Sequence, residues 1–151
     1  MLSPNFNEGQ KLASARWDET ILVELPEDDA EALEVVFNVI HYRLDRVPDP
    51  LSPDLILRAA IAGDKYDFLM PLKMCCRQWI QPSRFSCEDA EGAAKVWQLA
   101  IAAAWLDHEQ CFQEATRALL LGYGGSYLSL GEMDRMPSAM VNRFNSSYHI
   151  K

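Results

Sequence analysis

Apolar positions recur along this chain mainly at a helical period. Leu33, Val36, Phe37 and Ile40 share one face, which predicts an amphipathic helix over residues 29–42 with its other side wet. Asp28 can cap it, with Glu31 as the reciprocal partner. Three prolines limit residues 47–53 to a connector. Ser52 and Pro53 then read as cap and first position of a second helix, and residues 55–62 are apolar apart from Arg58, as in a helix covered on most sides. Its end falls near residues 63–67. A third helix opens close to Pro71, carries Leu72, Cys75, Cys76, Trp79 and Ile80, and stops at Pro82.

Ser86 with Asp89 resembles another capping box, opening a helix through Leu106 whose heavier stripe is Trp97, Ile101, Ala104 and Trp105. Asp107 with Gln110 permits a further cap, and Phe112, Ala115, Thr116, Leu119 and Leu120 continue as a packed partner, so the two helices read as a hairpin. Residues 123–131 are rich in Gly and Ser and read as a loop, with Gly122, Gly124 and Gly125 ending the helix and permitting positive φ. A short last helix is predicted over residues 137–144. Period-two alternation is confined to Ile21, Val23 and Leu25 against Leu22 and Glu24, a short strand stopped by Pro26. Residues 1–17 hold turns around at most a short helix. The expected class is mostly α with an α+β remnant of one strand, divided into a unit over residues 1–82 and a helical extension over residues 83–151.

A chain of 151 residues with 49% hydrophobic and 24% charged residues is long enough to bury a core without disulfide or metal. Its net charge of -8 is concentrated: residues 18–34 carry eight carboxylates and neither Lys nor Arg, which makes nucleic acid a poor partner. The apolar run over residues 96–106 is about half of what a bilayer crossing needs. No secretory signal is read at the start, and adjacent Cys75 and Cys76 suit a reducing compartment, cytoplasm or nucleus.

Little of the sequence carries recognisable chemistry. Cys75, Cys76, Cys87, Cys111, His41 and His108 lack any CxxC or HxxxH unit, so neither a metal nor another cofactor is expected. His108 and Cys111 stand at helical spacing, but Cys111 lies beside the packed stripe and reads as structural. No GxSxG or phosphate-binding GK[ST] occurs, and the carboxylates around Asp28 are explained by capping and the helix dipole. No catalytic residue is assigned, and no enzyme is expected. Trp79, Trp97 and Trp105 read as core anchors, whereas Trp17 lies outside any apolar stripe.

The run Val23-Glu24-Leu25-Pro26-Glu27-Asp28-Asp29-Ala30-Glu31-Ala32 resembles the last core strand and following helix start of a BTB/POZ domain, especially of the filamentous-fungal group. Val39-Ile40-His41-Tyr42 resembles that family's helix ending in an aromatic residue, and Ala62-Gly63-Asp64-Lys65-Tyr66-Asp67 its "A-D-K-Y" helix end. Leu72 to Trp79 is similar to the next helix. The likeness covers about residues 3–80, and the segment from Ala93 to Leu121 is similar to the helical extension of many such proteins.

The resemblance implies an intracellular protein-interaction adaptor that self-associates, recruits transcriptional regulators or presents substrates to cullin-based ubiquitin ligases; charge and the short apolar run argue against nucleic acid and membrane as partners. The family's opening hairpin, first long helix and further strand have no counterpart, so the usual dimer interface is missing. The strand then lacks its sheet neighbours: the fold closes differently, a partner chain pairs with it, or the gene product is incomplete. The surfaces expected to meet a partner hold Phe6 and Trp17, Glu27 and Asp29, and Tyr66, Phe68 and Leu72. A competing expectation is a structural or residual truncated protein that retains no partner surface.

Overall fold

The computed structural model describes residues 25–126 together with positions 10, 14 and 130. Within residues 25–126 five α-helices follow one another: α1 (Ala30–Ile40), α2 (Pro53–Lys65), α3 (Leu69–Trp79), α4 (Ala90–Trp105) and α5 (Glu109–Gly122). Short 3-10 turns at Leu44–Arg46 and Pro82–Arg84 serve the connections. The expected α+β character is thereby corrected. Among the described residues every regular element is a helix and none is a strand. Residues 21–24 of the expected strand lie outside the described residues, and its last member, Leu25, belongs to no regular element. The Leu25 carbonyl accepts from the Asp28 N–H at 3.1 Å, committing it to the turn that leads into α1, and Pro26 has no donor to offer a ladder. The last helix expected over residues 137–144 also lies outside the described residues.

Local chemistry sets the helix starts. Ser52 caps α2, its hydroxyl accepting from the Leu55 N–H at 3.2 Å, with Pro53 at the first position as expected. Three other caps fall one to three residues beyond their expected sites. Asp29, not Asp28, caps α1 by accepting from the Ala32 N–H at 3.0 Å. Asp89 caps α4 by accepting from the Gly92 N–H at 2.7 Å, while Ser86 accepts from the Glu88 N–H outside the helix. At α5 the cap is His108, whose Nδ1 accepts from the Cys111 N–H at 3.3 Å. Helix α3 opens two residues before Pro71 with no side-chain cap, Phe68 standing at the cap position.

Three helices end on the same device. Tyr42, Asp67 and Asp107 have φ of 56, 62 and 49°, and each follows the cap residue of α1, α2 or α4. The next amide reaches back to the third residue from the helix end: Arg43 to Asn38 at 2.7 Å, Phe68 to Gly63 at 2.7 Å, and His108 to Ala103 at 3.0 Å. This satisfies carbonyls that the helix leaves open. Positive φ was expected at the glycines around residue 122, yet no described glycine has it. Gly122 instead admits a close neighbour, since a Cβ there would lie 2.7 Å from that of Cys87. Leu130, placed by the sequence in a loop, is helical and buried.

Helix α2 packs against α1, α3 and α4, and α4 packs in turn on α5 as the expected antiparallel hairpin. Ile56, Leu72, Leu99 and Leu106 are enclosed in one cluster that draws on residues either side of position 82. Enclosing such a side chain stabilises the fold by about 1.5–3 kcal/mol. A second cluster joins Cys87, Ala93, Val96, Ala100, Ala115, Leu119 and Leu130. Helix α4 lies between partners, so its buried positions run almost all round and the expected stripe is too narrow, although Ala104 faces out. Phe37 on α1 and Leu120 on α5 are exposed rather than packed, because the inward faces centre on Val35, Val36 and Val39 and on Cys111, Ala115 and Leu119.

Candidate interaction surface

The acidic stretch before α1 is drawn into two charge networks. Arg58, the one polar residue in the apolar run 55–62 of α2, donates from Nη1 to Asp29 Oδ2 at 2.6 Å, from Nη2 to Glu31 Oε2 at 2.7 Å and from Nε to Asp54 Oδ2 at 2.8 Å. Its guanidinium is therefore held charged even more firmly than an ordinary arginine, chiefly by Asp29 and then Glu31. The Ala32 N–H and Arg58 together hold the Asp29 carboxyl below its usual range. Lys65 donates to Asp28 Oδ1 at 2.6 Å and the Tyr66 hydroxyl donates to Oδ2. Lys65 first, and Tyr66 second, pull the Asp28 carboxyl down. With its side chain only 8% exposed, Asp28 clasps the end of α2 to the start of α1.

These contacts place the expected partner residues individually. Phe6 and Trp17 lie outside the described residues. Glu27 is exposed, while Asp29 is half-buried with both carboxylate oxygens engaged inside the chain. Tyr66 is half-buried and bound to Asp28. Phe68 packs partly against the main core, and Leu72, at 0% exposure, is wholly within it.

The largest exposed apolar groups are others. Tyr42 is 90% exposed although its backbone is left-handed, a conformation that costs a bulky residue about 1–2 kcal/mol. Phe37 and Leu44 stand exposed near it in sequence, at the end of α1 and in the following turn. Met70 and Met74, one turn apart on α3, are exposed too. In the sequence Tyr42 stands only as the aromatic end of the first helix and in no expected partner surface; the signal lay in its position, just past a helix with no Gly to end it.

One grouping joins residues that the spacing kept apart. Cys76 on α3 meets His108 and Cys111 at the start of α5, with one ligand-type atom of each within 4.8 Å of the others. Cys76 and Cys111 are 0% and 2% exposed, and burial pushes both thiols up. No local motif announces this group, since its members come from two helices packed by the fold.

No helix among the described residues is long and apolar enough to cross a membrane. Comparison with known proteins finds no matching family model, no matching curated protein and no matching solved structure.

Proposed function

We propose that this chain is a protein-interaction module of the BTB/POZ adaptor type, acting in cytoplasm or nucleus by docking preformed helices and without catalysis. The observation that carries the reading is Tyr42: a large aromatic, almost wholly exposed and held in a backbone conformation it disfavours. The left-handed backbone is the helix-ending device shared with Asp67 and Asp107, and at this position it leaves the Tyr42 side chain standing out from the end of α1. Tyrosine is also prominent among residues that dominate binding energy at interfaces.

Phe37 and Leu44 supply further apolar area, and exposed Glu34, one turn before Phe37 on α1, supplies a polar neighbour. The BTB/POZ type rests on the sequence resemblance, with which the order of the helices is compatible. The internal pairing of Asp29, Glu31 and Asp54 with Arg58 leaves less free negative charge than the sequence suggests, so apolar anchors carry the contact.

The resemblance implies a second copy of the chain, a transcriptional regulator or a cullin as partner, and two of these are defined enough to titrate: the chain itself and the helical N-terminal domain of a cullin. The test titrates each against the purified chain. Binding to one of them that is lost in Tyr42→Ala, with folding retained, supports the module; wild-type chain that binds neither speaks against it.

A further inference from the structure

We propose that Cys76, His108 and Cys111 form a binding site for one zinc ion, independent of the interaction surface. Two sulfurs and an imidazole nitrogen are the donor set that zinc favours. A tetrahedral zinc with bonds of about 2.0–2.3 Å places its ligand atoms about 3.5–3.8 Å apart. The observed separations, all within 4.8 Å, close to that spacing with shifts of about 1 Å or less.

The surrounding contacts hold the ligands in register. Lys73 pairs with Asp107 at 3.2 Å and Arg77 donates to Gln110, so α3 is tied to the start of α5 on either side of Cys76. Asp107 closes α4 in the left-handed conformation and delivers His108 directly to the start of α5. The His108 Nδ1 accepts from the Cys111 N–H, which fixes the ring at the start of α5 beside Cys111.

Electrostatics favour zinc over a monovalent ion here. Two thiolates and Zn2+ sum to zero charge, whereas a cuprous ion would leave a negative charge in a core where no charged or polar residue among those described is buried. On binding, two zinc–sulfur bonds and one zinc–nitrogen bond form, both thiol protons leave to solvent, and no group is oxidised or reduced. Half-buried His108 lies toward the surface, so a solvent molecule completes the fourth position.

The test is competition of the reduced, metal-stripped full-length chain with a chromophoric chelator for Zn2+, alongside Co2+ absorption. Expected are one zinc per chain, release of about two protons, and a sulfur-to-cobalt charge-transfer band with tetrahedral d–d bands. Cys76→Ser and Cys111→Ser should weaken binding at least about 100-fold, and His108→Asn, which keeps a capping side chain, at least about tenfold. Cys75→Ser and Cys87→Ser should bind as wild type. Should a buried-cysteine variant unfold by circular dichroism, His108→Asn and the wild-type cobalt spectrum decide. Cobalt binding without the sulfur band, undiminished zinc affinity in His108→Asn, or no stoichiometric zinc overturns the site.

Discussion

Tyr42 joins backbone conformation to function at a single position. A left-handed φ of 56° suits glycine, so Tyr42→Gly should raise stability by about 1 kcal/mol in urea unfolding. Tyr42→Ala keeps the backbone cost and should change stability by less than about 0.5 kcal/mol. Both remove the proposed anchor, separating binding from folding. Asp29 has the opposite character: Asp29→Ala removes the α1 cap and one Arg58 partner and should cost about 1–2 kcal/mol. Because the folded pKa values of Asp28 and Asp29 are lowered, their contribution is complete above the unfolded value of about 4 and disappears as pH falls through the folded values. Unfolding free energy should therefore decline below about pH 4, and the decline should be shallower in Asp29→Asn.

Helix α4 shows how close approach constrains an element. A Cβ on Gly92 would stand 1.7 Å from the Ser86 carbonyl oxygen, a backbone atom that moves only if the chain before the helix moves. Gly92→Ala should destabilise the protein by about 1–3 kcal/mol in thermal or urea unfolding, despite alanine's better helix propensity. Most helices were legible because apolar period, Ser52-Pro53 and the prolines are local signals. The α1, α4 and α5 caps were displaced because neighbouring acceptors are taken elsewhere: Asp28 by Lys65 and Tyr66, Asp107 by Lys73, and Ser86 by the Glu88 N–H two residues on. Asp28 was taken by Lys65 and Tyr66 from α2, a pairing that no local pattern encodes. The expected strand rested on alternation and on the family resemblance, and its one described member, Leu25, enters a turn instead.

In the whole molecule, α2 and α4 sit at the centre while α1, α3 and α5 cover them, so the interaction surface and the thiol cluster are built on different packing contacts. The resemblance pointed to residues 66–72 as a contact region, but Leu72 faces inward there and Met70 faces outward. Facing is a tertiary property, set by the side on which α2 packs, and sequence order leaves it open. The meeting of Cys76 with Cys111 was hidden for the same reason.

The most direct test of the interaction reading is a pair of binding isotherms for wild type and Tyr42→Ala, against the chain itself and against a cullin N-terminal domain, with circular dichroism on both proteins. The account predicts that wild type binds at least one partner and that Tyr42→Ala weakens this binding at least about tenfold, the cost of losing an interface anchor, with an unchanged helical spectrum. Equal affinity in the two proteins, or wild-type binding to neither partner, would contradict it.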